Sequence, residues 1–373
     1  MARRAEFVLY RPKNILNKSK RADHWFWTRY SAYPYIGCQH GCEFCYCRER
    51  KYSSYENIDD FAFIIKVKEN APELLRRALD RAPIDVIFMG DYQPAENKFH
   101  LSRKMLEVCY EQGFPVFILE RSPLVIRDLD LIQAIHQKAR AVVAFSAIST
   151  PESFTYSQVR KIEHLAPAPE KRFQAMKQLA RAGIPTGTCF MPILPGLCDT
   201  PENIESVIRW TADHGGQFVL AGGLTLADQQ QSYYLKFLTV NFPHLVGLYE
   251  KLYPAGSYAA AGDSWRSIGQ QVRELCKRYG IRDRMPRPII QGDKRQANRR
   301  IVERLAERIY EMELSGESSQ RIWAYRKAAW SIEDLEQDIG LIYRMMGVKG
   351  LQAIPGVGQS LAKVVEDLIL SPN

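Results

Sequence analysis

The chain has 373 residues, 46% of them hydrophobic and 25% charged, with a formal net charge of +9. This composition excludes a disordered polyelectrolyte, and the length fits one large domain with a smaller one rather than a single small domain. No apolar run of signal-peptide length follows the N-terminal lysines and arginines, and no later stretch reaches the roughly 18 unbroken apolar residues of a membrane span, so a soluble, cytoplasmic protein with no membrane partner is expected.

The positive charge is concentrated at the start. Residues 1–51 hold eleven Lys or Arg against four Asp or Glu, whereas residues 291–373 hold twelve against twelve. A polyanion would therefore meet the N-terminal part first, although a scatter of basic residues is often only a solvated face.

Within that basic segment lies GCQHGCEFCYC, residues 37–47, which holds four of the eight cysteines. In a reducing compartment, crowded cysteines are metal ligands or catalytic groups more often than a disulfide framework. The others, Cys109, Cys189, Cys198 and Cys276, are scattered singly and read as small buried hydrophobes. Cys38, Cys42 and Cys45 form C-x3-C-x2-C. Three thiolates at this spacing close a four-ligand zinc site only if Cys47 or His40 joins them. The same three can bind three irons of a four-iron cluster and leave the fourth open. Gly37 and Gly41 allow the loop to wrap a bulky group closely.

After the cysteines, short apolar strands alternate with amphipathic helices. Strands are expected at 61–66, 85–89, 116–119, 141–146, 186–191 and 217–221, and helices at 72–81, 102–112, 129–137, 170–182 and 201–214. Thr200 before Pro201 reads as an N-cap, and Gly183 before Pro185 as a C-terminal glycine. This alternation implies βαβ units and a parallel sheet, and about six units make a partial (β/α)6 barrel with its active site at the strand C-termini. Past residue 290 the strand-like runs stop. Helices are expected at 296–314 and 321–330, with Ser331 capping a third, and a final helical unit at 351–370. The expected domains are thus α/β over 1–290 and all-α over 291–373.

With these elements around it, the cysteine motif resembles that of the radical S-adenosylmethionine (SAM) superfamily. YIGCQHGCEFCY (35–46), GDYQP (90–94), ERS (120–122) and MPILPGLCD (191–199) resemble segments of its spore photoproduct lyase-like branch, over roughly residues 25–290. The resemblance implies a [4Fe-4S] cluster on Cys38, Cys42 and Cys45, with SAM chelating the open iron. It further implies reductive cleavage of SAM to a 5′-deoxyadenosyl radical, and an electron donor such as flavodoxin or ferredoxin. Gly90 and Asp91 would receive the methionine amine, Arg121 and Ser122 the carboxylate, and Ser146 the ribose or carboxylate. Glu163 and Arg172 match the E…ER pattern of this branch, away from the strand ends. Cys47 and His40 become bystanders, because a fourth ligand would block SAM. One departure stands out. The branch places a hydrogen-donating cysteine in the strand before Asp91, which here reads VIFM (86–89), so no catalytic residue is assigned and a different substrate is implied.

At the C-terminus, LQAIPGVGQSLAKVV (351–365) fits a helix-hairpin-helix. Gly356, Val357 and Gly358 form a tight hairpin whose amides, with the next helix N-terminus, can hold a DNA phosphate irrespective of sequence. Residues 295–373 resemble the N-terminal helical domain of family X DNA polymerases, notably in ESSQRIWAYRKAA (317–329) and GLQAIPGVG (350–358). Val364 stands where some members carry a Schiff-base lysine, so that lyase activity is not implied. The combined expectation is a radical SAM enzyme of DNA repair or modification. Two alternatives remain open: a radical SAM enzyme on a protein or metabolite with the hairpin as a protein-contact module, and a DNA-binding scaffold with a structural metal site.

Overall fold

The run AVVAFS, Ala141–Ser146, is buried at all six positions. A strand apolar on both faces belongs inside a parallel sheet covered by helices. The structure is a computed structural model and describes residues 3–262, 264–290 and 292–371. Its strands are β1 (Glu6–Tyr10), β2 (Asn17–Lys18), β3 (Tyr30–Ser31), β4 (Tyr35–Ile36), β5 (Ile64–Lys68), β6 (Ile87–Met89), β7 (Val116–Glu120), β8 (Ala141–Ser146), β9 (Thr186–Ile193) and β10 (Phe218–Gly223).

The large sheet has seven strands in the order β10-β9-β8-β7-β6-β3-β2. Neighbours from β3 to β10 pair in parallel, and only β2 is antiparallel. Six parallel strands with helical crossovers give the α/β architecture expected from the alternation. The membership differs in one place. The run expected as the first barrel strand, 61–66, begins in a 3-10 turn, Ile58–Ala62, and its strand β5 joins a separate three-stranded sheet, β1-β5-β4. Its place in the barrel is taken by β3, only two residues long and too short for periodicity to reveal.

The crossover helices Ala71–Leu79, Leu101–Gln112, Leu129–Lys138, Pro169–Arg181 and Pro201–Asp213 lie where the pattern put them. Thr200 Oγ1 accepts from the Asn203 amide at 3.3 Å, and Gly183 has a left-handed φ of +78°. Side chains such as Met105, Ile118, Ile132 and Phe173 pack between the sheet and these helices. A second apolar cluster around Phe190, Val219 and Tyr234 also takes in Cys42 and Phe44. The cysteine loop is therefore part of the core, and its shape is fixed by packing as well as by hydrogen bonds.

By contacts the chain divides into Met1–Lys18 with Tyr30–Met285, and Ser19–Arg29 with Pro286–Asn373. The second unit is helical: Gln296–Leu314, Ser319–Glu333, Ile339–Gln352 and Gln359–Leu370. Ser318 caps the second of these helices. Ser331, expected as the next N-cap, lies inside that helix; Asp338 caps the third, accepting from the Leu341 amide at 2.9 Å. Early residues complete the unit: Arg21 lies 5.0 Å over the Trp330 ring and bonds Asp334, and Arg287 lies 4.8 Å over Trp27. Its charge changes accordingly, because with Ser19–Arg29 and Pro286–Asn373 taken together it holds sixteen Lys or Arg against thirteen Asp or Glu. Among the described residues no helix is long and apolar enough to cross a membrane.

Candidate active site

The cysteine loop starts where β4 ends. Gly37 has φ +86°, and a Cβ there would lie 2.5 Å from Tyr55 Oη and 2.8 Å from the Ile64 carbonyl, so only glycine fits. The loop then folds on itself, Gly41 donating to the Cys38 carbonyl at 3.0 Å and Cys45 to that of Cys42 at 3.2 Å. Gln93 ties it to the end of β6, accepting from the Gln39 amide at 2.9 Å and donating to the Gly37 carbonyl at 3.0 Å. Arg48 braces it from behind. This buried guanidinium donates to the carbonyls of Gly41 at 3.0 Å and Ile58 at 3.1 Å, and lies 4.3 Å over Tyr233 and 4.8 Å over Phe61. Arg48 and Gln93 were given no part by the sequence reading. An arginine three residues after the third cysteine of the motif was the available signal.

The thiols of Cys38, Cys42 and Cys45 are free and close enough to perturb one another. Burial pushes Cys42 up to about 12 and raises Cys38, while a hydrogen bond from Cys47 brings Cys45 down to about 7. Among the described residues no three His, Cys, Asp or Glu side chains gather tightly enough for a single metal ion. Three thiols at this spacing on one loop could together hold three irons of a sulfur-bound cluster. Such a group would be anionic on three thiolates, and a cation faces it: the Arg121 charge is felt at Cys42 and Cys45.

Arg121 follows β7, 5.1 Å over the Phe44 ring, and is ion-paired with Glu163. Glu163 also pairs with Arg172 at 2.5 Å, and Arg172 donates to the Ser146 carbonyl at 2.8 Å. Burial alone would raise the Glu163 pKa, but the two guanidinium groups hold it below the usual carboxylate value. Glu163 and Arg172, which the sequence set apart from the strand ends, therefore connect Arg121 to Ser146. Ser146 itself donates to the Met191 carbonyl at 3.1 Å. Ser122 is engaged as a helix N-cap, its Oγ accepting from the Leu124 amide at 3.2 Å.

Gly90 is pressed against β7, where a Cβ would lie 2.9 Å from Glu120 Oε1. Asp91 takes a left-handed φ of +75°, and burial raises its pKa to about 7 against the opposing charge of Lys68. Burial raises Glu120 to about 8, although its Oε1 accepts from the Tyr92 amide at 2.9 Å. A carboxyl raised on folding stabilises fully below its ordinary value, and that contribution is lost as pH rises through the folded value. Melting temperature should therefore fall between about pH 4 and 8, by about 2–4 °C per kcal/mol lost. Glu120→Gln should flatten the fall in differential scanning fluorimetry, leaving the part due to Asp91. An unchanged slope would mean that Glu120 is ionised throughout.

The thiols outside the loop are all buried. Cys109 is buried in its helix with Sγ 3.6 Å from Met89 Sδ, and Cys189 and Cys198 are fully buried.

In the helical unit, Gly356 has φ +79°, and Gly358 starts helix Gln359–Leu370 with no atom within 4 Å of a Cβ placed on it. Val357 is buried, anchoring the hairpin, and among the described residues the Gly356 and Gly358 amides have no backbone acceptor. Lys327 packs beside the turn, its Cβ 3.6 Å from where a Gly356 Cβ would lie.

A family model described as the radical SAM superfamily matches residues 33–211, and one for a helix-hairpin-helix domain matches residues 296–371. An uncharacterized protein of Mycobacterium tuberculosis is 29% identical over 270 residues, covering 70% of this chain and 77% of the relative. An uncharacterized protein of Methanocaldococcus jannaschii is 30% identical over 203 residues, 53% of this chain and 72% of the relative. Among solved structures, a spore photoproduct lyase mutant with bound AdoMet and dinucleoside spore photoproduct aligns with a TM-score of 0.54 at 14% identity, covering 74% of this chain and 81% of that one. That likeness is one of fold. The chain belongs to the radical SAM superfamily, with a helix-hairpin-helix domain at its C-terminal end.

Proposed function

We propose that this radical SAM protein acts on nucleic acid, in repair or modification. Cys38, Cys42 and Cys45 would hold a [4Fe-4S] cluster, with SAM bound beside it. When bound, the cluster supplies the electron that cleaves SAM to methionine and a 5′-deoxyadenosyl radical. The observation that carries this reading is the meeting of three free thiols with the Arg121 guanidinium at the strand ends.

The chain's own residues bind and orient. Arg121, held by Glu163, offers its fork to the methionine carboxylate. Asp91, beside Gly90, accepts the ammonium group; an incoming cation favours the ionised carboxylate that burial resists. Ser146 steadies the strand end on which the ribose rests, and Ser122 holds the turn that carries Arg121. His40, pushed down to about 3 by burial, stays neutral and leaves the thiols to bind alone. The electron comes from a donor such as flavodoxin or ferredoxin, and a sulfur-bound cluster suits the cytoplasm.

Gly356, Val357 and Gly358 hold a DNA phosphate through backbone amides, binding without regard to sequence. The substrate-bound spore photoproduct lyase, whose bound ligand is a dinucleoside, supports nucleic acid as the class. Gly358→Glu tests it, because φ is −76° and space is open, so the fold tolerates the side chain while its charge opposes a phosphate. Gel-shift affinity for gapped DNA should fall about tenfold, equivalent to about 1.4 kcal/mol, with melting temperature unchanged. Unaltered affinity would leave the hairpin a protein-contact module.

A further inference from the structure

Three tyrosines stand half-exposed around the cysteine loop: Tyr46 at 47%, Tyr52 at 48% and Tyr258 at 50%. Tyr46 and Tyr52 meet edge to face with centroids 5.3 Å apart. Lys51 lies between two of the rings, its Nζ 4.8 Å from the Tyr52 centroid and 5.4 Å from that of Tyr258. Buried Glu49 pairs with Lys51 at 2.7 Å, which fixes the ammonium group against the rings instead of letting it sweep through solvent. Tyr258 comes from far along the chain. Its carbonyl accepts from the Leu226 amide at 3.0 Å, and Ala259 bridges Thr225, which places it in the loops beyond β10. The aromatic row thus runs from the cysteine loop to the C-terminal end of the last barrel strand. Tyr33 continues it inward, close enough to feel the charges of Asp91, Cys47 and Tyr52.

We propose that Tyr52, Lys51 and Tyr258 form a stacking rim for the unpaired bases of a single-stranded or locally opened nucleic acid at the barrel mouth. This rests on the nucleic-acid reading above and names the form of substrate. Half-exposed rings alternating with a fixed lysine match a strand of alternating bases and phosphates, whereas lysine is depleted in protein–protein interfaces. A base buried in a duplex could not reach a site inside a barrel mouth, so the reacting nucleotide must leave the stack.

The test is fluorescence anisotropy of the full-length protein with three labelled probes: a short oligothymidylate, the same length made wholly of abasic sugar-phosphate, and a blunt duplex. Tyr52→Ala with Tyr258→Ala should weaken oligothymidylate binding at least tenfold, within the about 1–3 kcal/mol per base that stacking contributes. Tyr52→Phe with Tyr258→Phe, which keeps both rings, should stay within about twofold of wild type, corresponding to about 0.4 kcal/mol. The abasic probe should bind wild type as weakly as the oligothymidylate binds the alanine variant. Equal binding of the abasic and base-bearing probes would overturn the proposal, as would alanine variants that bind like wild type while Gly358→Glu does not; in both cases the nucleic-acid reading survives. Absence of binding to all three probes would overturn both. A partner protein that loses affinity for the alanine variants while oligothymidylate does not would assign the rim to protein and also overturn it.

Discussion

Cys42→Ala is expected to give a folded protein that no longer assembles a cluster. After anaerobic reconstitution with iron and sulfide, its iron content and its broad visible absorption should fall to near background. The side chain is small and buried, so its loss as packing costs only about 1 kcal/mol. Losing one of three ligands is far more damaging, because two thiolates cannot retain a cubane against free chelators. Cys47→Ala is the matched comparison. Cys47 lies in the same loop and hydrogen-bonds Cys45, yet it is assigned no iron. It should keep most of its iron; equal loss in the two variants would make Cys47 a ligand and close the site to SAM.

Glu163→Gln is expected to be the most destabilising single change outside the loop. The carboxylate is fully buried between Arg121 and Arg172, and Arg172 is fully buried as well. A neutral amide leaves two guanidinium groups facing each other without a counter-charge, which costs about 3–5 kcal/mol when a buried pair is broken. Urea unfolding at neutral pH should show the loss. The pH dependence gives a second reading. A carboxyl whose folded pKa is lowered stabilises above its unfolded value and loses that contribution as pH falls through the folded one. The gap between wild type and Glu163→Gln should therefore narrow in acid. A gap independent of pH would mean that the residue acts through shape and not charge. Arg121 would also lose its anchor, so SAM affinity should fall in parallel.

The barrel was legible because its strands and helices are long enough to show their periods. Pro201–Asp213 announced itself by Thr200 and Pro201, and Ala141–Ser146 by an unbroken apolar run. The two-residue strands β2, β3 and β4 were not legible, since pairing across the sheet and not local pattern makes them strands. Ser331 misled because a serine before acidic residues reads as a cap, yet Trp330 and Ile332 carry the helical face through it. The cysteine loop of the candidate site could be picked out by its crowded spacing. Its electrostatics could not: nothing local shows that Glu163 would face Arg121, 42 residues earlier, or that Arg48 would fold under the loop. The assignment of Ser19–Arg29 to the helical unit was equally hidden, being a contact between segments some 300 residues apart.

The proposed reaction is cleavage of SAM at the cysteine loop and strand ends. Its most direct measurement is the anaerobic release of 5′-deoxyadenosine from SAM by the reconstituted protein with dithionite, quantified by liquid chromatography with and without single-stranded DNA. Wild type should release deoxyadenosine, and more of it when nucleic acid is present, whereas Cys42→Ala should release none above background. A protein that carries its full cluster and yields no deoxyadenosine under either condition would contradict the proposal.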